Sequence, residues 1–237
     1  MELPTIIEAA KSGNNDAIRK EIKNGANVNQ TASNGSTALI YAAQHNHMDT
    51  LKVLLKSGAD PNIENKVGGT ALNRAAANGN LEMVNFLLDN GARVGDLALI
   101  GAAREDNIEV VRRLIEAGAS INAQQRWGLT ALMLAAKEGN TSIVKYLIDQ
   151  GADVKVEDRN GNTALDLAQD NDHDEIVSYL SSAGANQKPK AKPVFDEDED
   201  EDEVEEKDVA EDNLDDIIDE HDIPDDSVDD DVDPEED

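Results

Sequence analysis

The chain has 237 residues, with 21 Lys and Arg, 51 Asp and Glu and no cysteine, so its formal net charge is −30. This charge repels nucleic-acid phosphates and anionic lipid surfaces, which argues against binding either of them by bulk electrostatics. The absence of cysteine excludes disulfides and thiolate-bound metal centres.

The negative charge is concentrated at the C-terminal end of the sequence. Residues 1–187 carry a net charge of −7, whereas residues 188–237 carry −23. A segment with so few apolar residues buries too little surface to offset the entropy lost on ordering. We therefore expect a disordered acidic tail over residues 194–237, joined by a basic linker of Pro and Lys over residues 187–193.

Before the tail, short sequence markers recur with a period of 33 residues. The dipeptide Gly-Ala recurs at steps of 33, 33, 27, 33 and 33 residues, and Thr-Ala-Leu follows it by twelve residues in four of the intervals. The Gly-Ala pairs begin at Gly25, Gly58, Gly91, Gly118, Gly151 and Gly184. The Thr-Ala-Leu triplets begin at Thr37, Thr70, Thr130 and Thr163. Several markers in fixed phase predict a repeat architecture.

Each unit predicts two short helices in chain order. The threonine stands where its hydroxyl can accept a hydrogen bond from the first turn of a helix, and a pair of alanines keeps that helix thin. A turn rich in Gly and Asn ends the first helix. A second helix follows, with apolar residues three and four apart, and the glycine of Gly-Ala ends it.

These markers resemble the ankyrin repeat, which implies an all-α solenoid of helix pairs joined by short β-turn fingers. The resemblance covers residues 1–186, with units at about 1–29, 30–62, 63–94, 95–122, 123–155 and 156–186. Thr-Ala-Leu stands where the family usually has Thr-Pro-Leu-His. The first and last units have the sequence of terminal caps. The 27-residue step lacks six residues at the place of the fourth finger, which predicts a notch in the stack.

Two motifs that suggest a metal site are better explained by the repeat. His45 and His47 could form a metal-binding pair, but His47 occupies the turn position at which ankyrin units often carry histidine, as does His173. No third ligand stands at convincing spacing.

The stretch from Asp158 to Gly161 hints at a calcium loop. However, Val156 and Leu167 stand where that loop needs carboxylates, and residues 160–161 fit a finger turn. There is no nucleophile elbow or phosphate-binding glycine loop. We therefore predict no enzyme activity, no cofactor and no metal site.

The resemblance implies that a partner protein binds the finger tips and the ends of the first helices, which line one concave face. Carried over position by position, this surface comprises Ser33, Asn34, Gln44, His45, Lys66, Val67, Asn78, Arg104, Arg126, Trp127, Leu129, Lys137, Glu138, Arg159 and Asn160. Trp127, the single tryptophan, is either a binding hot spot or a residue that packs on the neighbouring finger.

The tail suggests further roles. Ser227 lies in an acidic context typical of kinase sites, and residues 214–218 place three apolar side chains on one face of a potential docking helix. The tail could also shield the most basic face of the repeats.

We predict a monomeric, non-enzymatic module that binds a partner protein, with a tail that modulates binding. A basic protein is one option for the partner, and neither nucleic acid nor membrane is expected to bind directly. The alternative is an acidic chaperone or inhibitor of a basic, nucleic-acid-binding client. The expected location is cytoplasmic, with the nucleus or a host cell as alternatives.

Overall fold

The structure is a computed structural model that describes residues 5–185. These residues belong to one compact unit, Met1–Val194, and the second unit, Phe195–Asp237, lies outside the described residues. The described chain forms twelve helices in six helix–turn–helix pairs, as predicted. They are α1 (Thr5–Lys11), α2 (Asn15–Lys23), α3 (Ala38–Gln44), α4 (Met48–Lys56), α5 (Ala71–Ala77), α6 (Leu81–Asp89), α7 (Asp96–Arg104), α8 (Ile108–Glu116), α9 (Ala131–Lys137), α10 (Thr141–Asp149), α11 (Ala164–Asp170) and α12 (Asp174–Ser182).

The odd-numbered helices stack on one another to form an inner layer, and the even-numbered helices form an outer layer. The predicted alanine pairs, such as Ala42 with Ala43 and Ala135 with Ala136, are completely buried between inner helices. Their small side chains let neighbouring helix backbones approach closely, so that each unit buries its apolar surface mainly against its neighbours.

Threonine caps begin four of the inner helices. The hydroxyl oxygens of Thr37, Thr70, Thr130 and Thr163 accept hydrogen bonds from the backbone N–H three residues later, at 3.2 to 3.3 Å. These bonds satisfy N–H groups that have no partner within the helix. The predicted capping role of the threonines is therefore confirmed.

Each outer helix is followed by a Gly-Ala pair, whose glycine stands two residues after the last helical residue. At the end of α4, Gly58 has a φ of +88°, a conformation that is costly for residues with a Cβ atom. The N–H of Ala59 donates to the carbonyl of Leu54 at 3.0 Å, and the N–H of Gly58 donates to the carbonyl of Leu55 at 3.1 Å. This is the Schellman arrangement, and it explains why the dipeptide marks the repeat.

Four fingers connect units of the stack, where a finger is the four-residue turn before an inner helix. They are residues 32–35, 65–68, 125–128 and 158–161, in the second, third, fifth and sixth units. In each finger the N–H of the last residue, a glycine, donates to the carbonyl of the first at 2.8 to 3.1 Å. In the fourth unit, α7 follows a short connection directly and is capped by Gly95, without a side-chain hydrogen bond.

Among residues 5–185, no helix is both long and apolar enough to cross a membrane.

Candidate functional site

Neighbouring finger tips are joined by backbone hydrogen bonds. The N–H of Lys66 in the third-unit finger donates to the carbonyl of Asn34 in the second-unit finger at 2.9 Å. The N–H of Arg159 in the sixth-unit finger likewise donates to the carbonyl of Trp127 in the fifth-unit finger at 3.0 Å. The fingers therefore form two pairs, one on each side of the fourth unit.

None of the fifteen side chains predicted to bind a partner is fully buried. Nine are exposed: Ser33, His45, Lys66, Val67, Asn78, Arg126, Glu138, Arg159 and Asn160. Six are half-buried: Asn34, Gln44, Arg104, Trp127, Leu129 and Lys137. Their accessibility is compatible with binding, and their role in binding stays a prediction. Ser227 and the apolar stripe of the tail lie outside the described residues.

Asn78 has a structural role that the sequence reasoning missed. Its Nδ2 donates to the carbonyls of Ala43 and Gln44, at 3.1 and 2.9 Å, and so closes the end of α3 in the preceding unit. Asn107 and Asn140 reach back in the same way to the ends of α5 and α7. The sequence signal for this role was the recurrence of asparagine between the two helices of the units.

Trp127 lies between two arginines at the tip of its finger. The guanidinium carbons of Arg126 and Arg159 are 5.6 and 5.5 Å from the centre of the indole ring. Such contacts are attractive because the face of the ring carries partial negative charge. The ring is half-buried, and its Nε1 is buried without a hydrogen-bond partner. The ring thus contacts the neighbouring finger, as the packing interpretation predicts, and also holds two cations at an exposed tip.

The finger tips on both sides of the fourth unit are basic and partly apolar. Lys66, Arg126 and Arg159 are exposed, and Val67 is 45% exposed, the one exposed large hydrophobic side chain among residues 5–185. The one carboxylate within the four finger turns is that of Asp158, whose Oδ1 accepts hydrogen bonds from the backbone N–H groups of Asn160 and Asn162. The tips therefore favour ligands that combine apolar and acidic groups.

The histidines serve as links between units. The Nε2 of His47 lies 2.8 Å from the carbonyl oxygen of Lys11, and the Nε2 of His173 lies 2.9 Å from that of Lys137. Within residues 5–185 no three His, Asp or Glu side chains are grouped as metal ligands. These contacts favour the interpretation of His47 as a repeat position.

An open cleft of about 510 Å³ lies beside the outer helices of the first three units. Two pairs of the polar side chains that line it interact with each other. Thr50 donates to the Oδ1 of Asn15 at 2.8 Å, and the Nζ of Lys52 lies 3.5 Å from a carboxylate oxygen of Glu82. This arrangement contains no pairing of a nucleophile with a base of the kind that covalent catalysis needs.

Comparison with known proteins identifies the repeat. The family model described as "Ankyrin repeats (3 copies)" matches residues 6–97 and 99–191. A chain in the solved complex of the predatory endopeptidase Bd0816 from Bdellovibrio bacteriovorus with the immunity protein Bd3460 is 29% identical, with a TM-score of 0.68. The match covers 77% of this chain and 99% of that one. No curated protein sequence matches significantly. The helix pairs, the fingers and the family match together show that the chain belongs to the ankyrin-repeat family.

Proposed function

We propose that this protein is a non-enzymatic module that binds a partner protein through its finger tips and the adjacent concave face. The observation that carries the proposal is the cluster in which the exposed Arg126 and Arg159 flank the half-buried Trp127 at the tips of two paired fingers. Tryptophan and arginine are the residue types most enriched among binding hot spots. The similar solved chain comes from a complex of an endopeptidase with an immunity protein, which supports protein binding as the activity.

The geometry of this cluster is suited to recognition. Two guanidinium groups held against one ring have lost part of their rotational freedom before a partner arrives, which lowers the entropic cost of binding. The backbone hydrogen bond from Arg159 to Trp127 fixes the two tips relative to each other. A partner with carboxylates beside an apolar patch would complement this surface.

Affinity purification from the native cell, with the full-length chain as bait, tests the proposal. Because truncation of a hot spot typically costs 2 kcal/mol or more, we expect Trp127→Ala to reduce partner recovery by about tenfold or more. Tyr146→Ala is the matched control, since Tyr146 contacts the guanidinium of Arg112 at 4.2 Å on the outer helix layer. Equal loss with both variants, or no loss with Trp127→Ala, would contradict the proposal.

We further propose that residues 188–237 modulate binding by competing for the basic tips, because they carry a net charge of −23. Their removal should then raise the affinity for the purified partner at low salt, and the gain should shrink at high salt as charges are screened. Equal affinities at low salt would refute this role.

The same charge favours a second candidate function, in which the tail binds a basic, nucleic-acid-binding client directly. A pull-down with residues 188–237 alone distinguishes the two functions. Retention of basic proteins in a salt-sensitive manner would support the client-binding function, and their absence would reject it.

A further inference from the structure

The missing fourth finger leaves a notch between the third-unit and fifth-unit fingers. The connection from α6 to α7 is so short that Gly95 directly caps α7. Stacked helices lie about 8–10 Å apart, so tips that flank one omitted finger are separated by about 16–20 Å. This space is sufficient for a single β-turn.

The two sides of the notch carry hydrogen-bonding groups in the positions that a finger would use. In the repeat phase, Val67 corresponds to Asn34 and Arg126 corresponds to Lys66. The carbonyl of Asn34 and the N–H of Lys66 are bonded to each other. Across the notch, the carbonyl of Val67 and the N–H of Arg126 have no backbone partner within residues 5–185. One acceptor and one donor therefore face the site of the missing finger.

Space beside Gly68 is also open. A Cβ atom placed on Gly35 or Gly128, the equivalent glycines, would lie 3.0 or 3.1 Å from the backbone of the next finger. At Gly68 the nearest atom would be the Cδ1 of Leu97, at 3.7 Å. The turn backbone that contacts the other two glycines is absent here, and the half-buried side chain of Leu97 lies beside the gap.

The chemistry around the notch specifies an occupant. Val67 and Leu97 offer apolar surface, whereas Lys66 and Arg126 are exposed cations on the two flanking tips. No carboxylate occurs at the tip positions 66–67 or 126–127, whereas the exposed Asp96, next to Leu97 at the start of α7, contributes one carboxylate on the α7 side, so acidic side chains of an occupant suit the two flanking tips. A turn with acidic side chains complements both features, and hydrogen bonding to the edge of a finger pair is a form of β-augmentation.

We propose that the notch binds an acidic β-turn of a partner protein, which takes the place of the fourth finger. The turn donates one N–H to the carbonyl of Val67 and accepts a hydrogen bond from the N–H of Arg126. Its apolar side chain contacts Val67 and Leu97, and its carboxylates lie near Lys66 and Arg126. This inference rests on the proposed protein-binding function and deepens it by naming a subsite and the shape of the ligand.

The test titrates the full-length chain with a cyclic hairpin peptide whose tip reads Asp-Glu-Ala-Gly. Trp127 is the single tryptophan of the chain, so its fluorescence reports occupancy of the adjacent notch. In a graft variant, residues 95–97 are replaced by the sequence of residues 62–70, which restores the 33-residue step and fills the notch. We expect the graft to weaken binding at least tenfold.

Two substitutions of Arg126 separate the contribution of its N–H from that of its charge. Proline is favoured at the second position of such turns, so Arg126→Pro removes both the N–H and the charged side chain while keeping the turn. Arg126→Ala removes the charged side chain, with its contact to Trp127, and keeps the N–H. We expect Arg126→Pro to weaken binding about fivefold more than Arg126→Ala, because a net hydrogen bond contributes about 1 kcal/mol. Arg112→Ala on the outer layer is the control for charge and should bind normally.

Three results would overturn the inference. The graft could bind the hairpin as tightly as the natural chain, or a linear peptide of the same composition could bind equally well, which would indicate charge alone. The amide of Arg126 could also be protected from hydrogen exchange in the free full-length chain, which would indicate that another segment or a second copy fills the notch. If the graft still captures the native partner in a Trp127-dependent manner, the proposed function stands and only the notch fails.

Discussion

At the scale of single residues, one position of the repeat links neighbouring units. It is the residue eleven before each Gly-Ala, and it caps the second helix of its unit. Asn107 and Asn140 use this position to donate to two carbonyls of the preceding unit, whereas His47 and His173 reach one carbonyl. The two side chains are therefore alternative solutions to one requirement, the satisfaction of carbonyls at a helix end.

This equivalence predicts that His173→Asn is tolerated and His173→Ala is not. Asparagine can reach the carbonyl of Lys137 as its equivalents do in other units, so the free energy of unfolding should change by less than about 0.5 kcal/mol. Alanine leaves that carbonyl without its partner and should cost about 1 kcal/mol. Urea unfolding followed by circular dichroism measures both. Equal destabilisation by the two variants would show that the imidazole ring itself is needed.

The sequence predicts which residues cap and end the helices, but it does not predict which residues they contact in neighbouring units. The threonine caps and the Gly-Ala stops are local features, since each depends on atoms within about five residues of the same chain segment. The reach of Asn78 to the carbonyls of α3 spans more than thirty residues, and its identity as a link depends on the stacking geometry. For the same reason the sequence placed Trp127, Arg126 and Arg159 on the finger surface, but it did not predict that both guanidinium groups contact the indole ring.

At the scale of elements, α7 differs in length and in its N-terminal cap from the inner helices of the four units that have a finger. It has nine residues where α3, α5, α9 and α11 have seven. It starts at a glycine cap without a side-chain hydrogen bond, and the ψ of that residue, +166°, is ordinary extended backbone. The deletion that removed the finger therefore also removed the threonine cap. The sequence predicted the deletion from the 27-residue step, whereas the longer helix depended on how the remaining residues refolded.

A better cap at Gly95 should stabilise the protein. Gly95→Ser supplies a hydroxyl acceptor and reduces the freedom of the unfolded chain, and a Cβ atom there meets no atom within 4 Å. We expect the free energy of unfolding to rise by about 0.5–1 kcal/mol, of which a few tenths come from the added acceptor and the rest from the reduced freedom of the unfolded chain, measured by urea denaturation. Gly95→Ala is the matched control, since it reduces chain freedom without adding an acceptor. The explanation by capping would be wrong if alanine stabilised as much as serine.

At the scale of the whole stack, stability is a sum over units and over the joints between neighbours. Three kinds of hydrogen bond connect neighbouring units. Backbone groups bond between paired fingers, asparagine side chains four residues after a Gly-Ala glycine accept from the backbone of the next unit, and side chains at the start of an outer helix donate to the end of the inner helix of the preceding unit. Asn122, for example, bridges at a finger base by accepting from the N–H of Asp153 at 2.9 Å. The joint of the fourth and fifth units lacks a finger pair within residues 5–185, because the fourth finger is missing, and it keeps the Asn122 bridge and the reach of Asn140 to α7.

The joint between the fourth and fifth units should therefore depend most on Asn140. Its Nδ2 donates to the carbonyls of Ala103 and Arg104 at 2.9 and 2.8 Å, so Asn140→Ala should lower the free energy of unfolding by about 1–2 kcal/mol. Because nearest-neighbour coupling sustains cooperativity in such stacks, urea unfolding should also separate into two transitions, with units five and six distinct from the first four. Asn171→Ala is the control, since that amide bonds at 2.8 Å within its own helix. A single transition with unchanged steepness in Asn140→Ala would show that apolar packing alone couples the two parts.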